Sequence, residues 1–257
     1  MISPLDPFGF AVIFGAMVLI GFLIGSIGIG GVLLAPMLVY AGGMGIRESI
    51  AVSMASFIIP GLIALLTATG SPASDIAGRW RLLLTAAPGA LVGSLVLGSV
   101  PEGLALGMLA VLMIGTGIRI LAGNRAFGRG GRNPTHRADS AIGLVTGFVS
   151  AMTGTGGPMV MVPLLLSSGT PALQAVALGQ VAQLPVASVA TVGNLLAGGA
   201  DLPLALLFGT LLVPGILLGR KVAAAMPLGA ITRVVSAVLI VVGSWLAYSV
   251  VFGGSPA

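Results

Sequence analysis

The sequence has no cysteine, a single histidine (His136), and only 11 basic and 6 acidic residues among 257. Without cysteine, disulfide frameworks, thiolate nucleophiles and Cys/His zinc sites are excluded. Most enzyme chemistry depends on such groups or on buried acids and bases, which are also scarce. The sequence therefore predicts no metal site, no cofactor and no enzymatic activity.

Charged residues make up 7% of the chain, and 57% of the residues are apolar. A soluble domain carries about 25% charged residues, and so few charges cannot cover its surface. The chain is therefore predicted to be a multi-pass protein of the cytoplasmic (inner) membrane, with the lipid bilayer as its surroundings. Its net charge of +5 falls in loops, so nucleic acid is not predicted as a partner. Residues 1–6 carry no basic residue and no cleavage signature, so the first apolar run is expected to be retained.

Eight apolar stretches account for most of the chain. They show no strand-like alternation, which favours helices over a β-barrel, and most are close to the roughly 20 residues of one crossing. The stretches cover residues 8–42, 49–70, 82–100, 103–121, 140–169, 175–196, 203–219 and 228–252.

A polar stretch, residues 122–139, separates a first membrane repeat, residues 1–121, from a second, residues 140–257. Shifting the sequence by 126 residues places glycines, prolines and aspartates of one half on the same residue types of the other. The matched pairs include Gly21 and Gly147, Asp75 and Asp201, Pro88 and Pro214, Gly89 and Gly215, and Gly93 and Gly219. Such a constant offset predicts a duplication, with residues 122–139 as a basic cytoplasmic linker.

Each half opens with a segment of unusual length. Residues 8–42 would make a helix of about 52 Å, too long for one crossing of about 30 Å and too short for two. A broken pair of helices fits instead, with a recessed glycine turn between a long arm and a short arm. We name Gly28–Gly31 the first turn and Gly154–Gly157, its counterpart within residues 140–169, the second turn.

Basic residues in the loops distinguish between topologies, because lysine and arginine near span ends stay cytoplasmic. Five helices per half leave ten basic residues on one side and only Arg47 on the other, a cleaner division than four per half. An odd number also inverts the second half. The prediction is an all-α membrane protein of two inverted repeats of five helices with broken, re-entrant segments and both termini outside. The alternative is 4+4 parallel repeats.

The two turns are the leading candidates for a substrate site. Each precedes a helix-compatible run, so backbone N–H groups and a helix dipole can act on an anion there. Pro158 suits the first position of such a helix. The competing interpretation is close helix packing, which glycine often marks in membranes. The candidates are Gly28, Gly30, Gly31, Gly154, Thr155, Gly156 and Gly157.

Polar side chains inside the spans add to this site, because they are costly in lipid and favour a protein or water-lined interior. Gln180, Gln183, Thr191 and Asn194 form one helical stripe, and Ser53 lies on the matching span of the first half. No acid or base falls in the middle of a predicted span, so the anion site is expected to use backbone groups and neutral dipoles. Asp75 and Asp201 are expected to cap helices.

The motifs GIGGVLLAP (Gly28–Pro36) and GTGGPMVMVP (Gly154–Pro163), with the Pro-Gly-x-x-x-Gly helices at Pro88 and Pro214, give the chain a family likeness. It resembles the TauE/SafE family of sulfite exporters, also called the toluene-sulfonate uptake permease family, from about Phe8 to Tyr248. The resemblance implies a membrane carrier for small sulfur-containing anions such as sulfite, sulfonates or sulfoacetate.

The predicted function is a secondary transporter that exports a small anion, most plausibly sulfite or an organosulfonate, by alternating access around a midplane site. A coupling proton or cation is a further partner left open, as are the direction of transport and the oligomeric state. Two alternatives remain: a passive anion channel, and a non-transporting scaffold subunit of a membrane complex.

Overall fold

The computed structural model describes residues 7–28, 30–67, 78–122, 136–225 and 228–252. These residues form α-helices joined by short turns, with no strand among them. Asp75 and the linker arginines Arg125, Arg129 and Arg132 lie outside the described residues. The helices are α1 (Pro7–Ile27), α2 (Leu34–Tyr40), α3 (Ile46–Ser56), α4 (Ile58–Thr67), α5 (Trp80–Leu97), α6 (Glu102–Leu121), α7 (His136–Thr153), α8 (Pro158–Ser167), α9 (Ala172–Leu196), α10 (Leu202–Ala225) and α11 (Leu228–Phe252).

The order of elements repeats at the offset found in the sequence. Both unusually long apolar segments are broken helix pairs, α1 with α2 and α7 with α8. A short 3₁₀ segment, Gly30–Leu33, joins the first pair, and Pro158 opens the second arm of the other. The third unit is interrupted in the first half, where α3 ends at Ser56 before Pro60, and continuous in the second half as α9. Pro60 in the first turn of α4 removes a donor and crowds the preceding carbonyl, but α9 stays continuous through Pro185, so proline alone does not account for the interruption.

Helices of the two halves pack against each other, and glycines lie at the contacts. A Cβ on Gly21 would collide with the carbonyl oxygen of Leu212, and a Cβ on Gly215 with that of Val18, so α1 packs on α10 in backbone contact. The repeat-equivalent pair, α7 on α5, has the same character, because a Cβ on Gly147 would collide with the Ala86 carbonyl oxygen. Small residues permit this close approach in membranes. The Pro-Gly-x-x-x-Gly motifs therefore serve helix packing.

Four helical segments are long and apolar enough to cross a membrane, by length and composition: residues 46–67, 80–97, 174–196 and 202–222. Large apolar side chains also cover the outside of the bundle. Val111 is 72% exposed, Leu196 73% and Val241 68%. Water would oppose so much exposed apolar surface, whereas lipid accepts it. The protein is therefore a polytopic helical membrane protein.

The helices α3–α4, α9 and α10 run between two ends of the molecule. We call one the cavity end, where α3 and α10 begin near Arg47 and Asp201, and the other the arginine end, where α10 carries Arg220. The 19 residues from Asp201 to Arg220 correspond to about 28 Å of helix. Asp201 caps α10, because its Oδ1 accepts a 3.0 Å hydrogen bond from the backbone N–H of Leu204. This cap agrees with the role predicted from the sequence.

A buried ion pair joins the start of α5 to α7 at the arginine end. The guanidinium of Arg79, at the start of α5, pairs with the carboxylate of Asp139 in α7 and donates a 2.9 Å hydrogen bond to Thr170 Oγ1 before α9. The two charged side chains are only 11% and 6% exposed. Helix α7 starts at His136, inside the range expected for the linker, because this pairing and the burial of Asp139 draw the chain into the bundle. The division into two membrane repeats remains a prediction.

Candidate functional site

The two glycine turns meet inside the bundle. A Cβ placed on Gly31 would lie 3.1 Å from the carbonyl oxygen of Thr155. A Cβ on Gly28 would lie 3.3 Å from the Pro158 Cβ and 3.4 Å from the Gln180 Cγ. The break in each half therefore lies against the break in the other, and the short distances favour glycine at both positions. Ile29, within the first turn, lies outside the described residues.

The second turn has a backbone that can receive an anion. Gly154, Gly156 and Gly157 have φ values of 67°, 78° and 113°, a left-handed region that favours glycine. Among the residues that the structure describes, no backbone group accepts a hydrogen bond from the N–H of Gly156 or Gly157. Gly157 is the N-cap of α8, and Pro158 at its start has no N–H. The helix start thus offers unoccupied donors and a favourable dipole to a negative charge.

The first turn is built differently from the sequence expectation. The N–H of Gly28 already donates to the carbonyl oxygen of Ile24, at 2.9 Å. A Cβ on Gly30 would lie 2.5 Å from the Ile20 carbonyl oxygen and 2.7 Å from the Ile24 nitrogen, so Gly30 packs directly on α1. The chain then enters the 3₁₀ segment and continues into α2. These distances match the close-packing interpretation for Gly30.

Gln183 and Phe57 flank the second turn from opposite halves. A Cβ on Gly156 would lie 3.0 Å from the Gln183 Nε2 and 2.8 Å from the Phe57 Cδ2. Gln183 is 2% exposed and Phe57 is fully buried. The two positions are equivalent under the 126-residue repeat. One half therefore presents an amide to the turn and the other presents an aromatic wall.

Gln180 connects the turn to a cation. Its Nε2 donates to the carbonyl oxygen of Ile24, at 3.1 Å, and its Oε1 accepts a hydrogen bond of 3.5 Å from Arg220 Nη2. The same guanidinium donates from Nη1 to the hydroxyl of Thr67 at the end of α4. A cavity of only about 10 Å³ remains between these side chains and Gln183. That volume holds a single water at most.

Arg220 is the residue that the sequence analysis missed. The apolar stretch was expected to end at Gly219, which placed Arg220 in a loop, but α10 continues to Ala225. Arg220 follows Ile216 by one helical turn on the face that packs against Gly25. That spacing was visible in the sequence, whereas the contacts with Gln180 and Thr67 were not. The site therefore has a cation near it in addition to neutral dipoles.

The remaining predicted site residues lie elsewhere. Ser53 is fully buried on α3, one helical turn before Phe57. Asn194 lies eleven residues beyond Gln183 on α9, about 16 Å along the helix, and lines a separate cavity at the cavity end. Thr155 lies in the second turn, where its hydroxyl is 3.2 Å from that of Thr153. Gly154 packs on α3, since its Cβ would lie 3.2 Å from the Ile50 Cα.

The comparisons with known proteins agree with the motifs. The family model described as sulfite exporter TauE/SafE matches residues 73–246, which include the second turn, Gln180, Gln183 and Arg220. No curated protein and no solved structure matches the chain. The family is one of membrane transporters, and its model covers more than half of this sequence. The chain belongs to the sulfite exporter TauE/SafE family.

Proposed function

We propose that this protein is a secondary transporter that exports a small anion, sulfite or an organosulfonate, across the cytoplasmic membrane by alternating access. The observation that carries the proposal is the meeting of the two glycine turns, with the unoccupied N–H groups of Gly156 and Gly157 beside the amide of Gln183. A hydrogen bond to a charged group contributes about 1.5–3 kcal/mol, so a few such donors can hold an oxyanion without a buried lysine.

Inverted repeats are the arrangement that the packing favours. Helix α3 begins at the cavity, beside Glu48, whereas its repeat counterpart α9 ends there, beside Asn194, so the two equivalent helices run in opposite directions. Basic residues also divide unequally, with Arg79, Arg220 and Lys221 toward the arginine end and Arg47 at the cavity end. Because positive charge stays in the cytoplasm, the arginine end is the cytoplasmic one in this proposal.

The proposed cycle uses Arg220 as the element that opens the cytoplasmic side. When the guanidinium leaves Gln180 and Thr67, an anion can enter from the cytoplasm and meet the second turn. Gln180 and Gln183 then orient it, and the Gly156 and Gly157 N–H groups carry part of its charge. Closure of the arginine end and opening of the other end complete export. Among the described residues the buried carboxylate of Asp139 is paired with Arg79, so the proposal assigns it no coupling role. Sulfite itself carries a proton.

The test is flux into liposomes that contain the purified protein, with sulfite, thiosulfate, sulfoacetate and a simple carboxylate as candidate anions. The variant is Gly156→Ala, whose Cβ would displace the Gln183 amide. The matched control is Gly43→Ala, which carries the same left-handed strain, φ 66°, with nothing within 4 Å. We expect saturable flux with counterflow for one sulfur anion, lost in Gly156→Ala and retained in Gly43→Ala.

Other results would redirect the assignment. Flux that neither saturates nor shows counterflow would identify a passive channel. No flux for any anion, together with a tightly bound partner after purification, would favour a scaffold subunit. Normal flux through Gly156→Ala would remove the second turn from the substrate site.

A further inference from the structure

Five buried polar atoms have no hydrogen-bond partner in the described part of the protein. They belong to side chains that are at most 3% exposed, and native proteins seldom leave such atoms unpaired because the cost is high. We name the set the polar strip: Ser49 Oγ, Ser53 Oγ, Thr146 Oγ1, Ser150 Oγ and Asn194 Nδ2. Unpaired donors at this density point to a ligand or water that they bind.

The polar strip begins at a cavity, which Asn194 lines, and includes residues close to the glycine turns. This cavity, of about 680 Å³, lies between the start of α3 and the ends of α5 and α9, and Asn194 lines it. Along α3, Ser49 follows the cavity residue Glu48, and Ser53 lies one turn before Phe57. Ser150 adjoins the second turn, since its carbonyl oxygen accepts the Thr155 N–H at 3.2 Å.

The equivalent positions toward the arginine end are apolar. Under the 126-residue offset, Thr146 and Ser150 correspond to Ile20 and Ile24. Ser49 and Ser53 correspond in the same way to Ala175 and Gly179. All four counterparts lack a polar side chain, so at these four pairs of positions a hydroxyl is present only on the side of the cavity end.

The difference continues at the entrance. Ser94 lines the open cavity, and its counterpart is Arg220, whose long side chain closes the other side by bonding Gln180 and Thr67. The cavity there is about 10 Å³. A wide cavity that Ser94 lines and a narrow one that Arg220 lines thus occupy equivalent places in the two halves.

We infer that the polar strip is the path of the transported anion between the glycine turns and the cavity, and that the structure is the state open to the cavity end. The inference rests on the proposed transport function and names its exit route. Asn194 Nδ2 is a donor only, so it requires an acceptor such as an oxyanion or its hydration water. The mouth also carries Glu48 and Asp201 beside Arg47, so the inference assigns anion binding to the neutral donors deeper in the path.

The natural absence of cysteine permits a direct test. Single variants Ser49→Cys and Ser150→Cys change one atom, and the full chain in liposomes is then exposed to a membrane-impermeant methanethiosulfonate that carries a sulfonate. The matched controls are Ala175→Cys and Ile24→Cys, at the equivalent and equally buried positions. We expect the strip cysteines to be modified at least roughly tenfold faster than their counterparts, since reaction requires access of water to the thiolate.

Two further labelling experiments test the same inference. Arg220→Ala added to Ile24→Cys should raise the reactivity of that cysteine, because it opens the closed side. A reagent of equal size that carries a trimethylammonium group should react more slowly than the sulfonate at Ser150→Cys. Equal rates at strip and counterpart positions, or a preference for the cationic reagent, would overturn the inference.

The labelling is independent of flux, so the two proposals fail separately. Slow labelling of Ser49→Cys and Ser150→Cys in a protein that still exports anions would overturn the path and keep the transport function. Fast, sulfonate-selective labelling in a protein without flux would keep the anion path and overturn the transport function. Asn194→Cys adds a position whose side chain lines the cavity directly and should be the most reactive of the set.

Discussion

The first turn leads from Gly28 into a 3₁₀ segment that packs on α1, whereas the second turn holds three left-handed glycines and ends at the start of α8. The side chains around the two turns also differ in polarity. Met54 and Phe57 of the first half stand where the second half has Gln180 and Gln183. At these two pairs of positions the amide side chains therefore lie in the second half only. The first half contributes the aromatic ring of Phe57 to the site, and the second half contributes hydrogen-bond donors.

The ion pair between Arg79 and Asp139 stabilises the arginine end, whereas the repeat-equivalent positions are apolar. Breaking this ion pair should have the largest effect on stability. Asp139→Ala leaves the buried Arg79 without its partner, which costs about 3–5 kcal/mol. The double variant Arg79→Ala with Asp139→Ile installs the apolar residues found at the equivalent positions, Ala205 and Ile13. It should recover much of the loss in thermal unfolding of the purified protein. A double variant as unstable as Asp139→Ala would contradict a role for pairing.

Gly30 and Gly156 are equivalent in the repeat, yet their replacement should affect different properties. Gly30→Ala forces a Cβ against the backbone of α1, so the free energy of unfolding should fall by about 1–3 kcal/mol. Gly156→Ala should mainly lower the anion flux. Thermal unfolding and liposome flux, measured on both variants, separate the two effects. Equal changes in thermal unfolding and in anion flux for the two variants would mean that the two turns have the same role.

Gln180→Met converts the second half to the residue of the first, because Met54 is the equivalent position. The change keeps the side-chain size but removes the acceptor for Arg220 and the donor to the Ile24 carbonyl. We expect the rate of anion flux to fall about tenfold, the loss of roughly 1.4 kcal/mol that one hydrogen bond to a charge provides. Met54→Leu is the control, and it should leave flux close to that of the unmodified protein.

The smallest effect is expected at the start of α10. Asp201→Ala removes the cap on the Leu204 N–H and should lower stability by about 1 kcal/mol, whereas Asp201→Asn keeps an oxygen in place. Thermal unfolding of the two variants provides the measurement. If both lose the same stability, the carboxylate charge matters more than the cap.

The sequence was most informative about features that depend on neighbouring residues. Composition predicted the membrane, apolar run lengths predicted the helices, and the glycine clusters predicted the breaks at both turns. The position of Pro158 at the start of α8 also followed from the sequence, because proline fits the first turn of a helix. Arg220 was misplaced since a run of apolar residues ends before a helix does. Long side chains at a helix end can turn back toward the protein.

The contacts that build the site join residues far apart in the chain. Gln180 reaches the Ile24 carbonyl oxygen across 156 positions, and Arg220 reaches Thr67 across 153. The sequence by itself determined that this is a helical membrane protein with breaks at two glycine clusters, because hydropathy and glycine content act locally. Only the tertiary structure decided that Asn194 lines a separate cavity, that Gly30 packs on α1, and that Arg220 contacts Gln180 and Thr67. Helix packing sets those distances, and no local pattern records them.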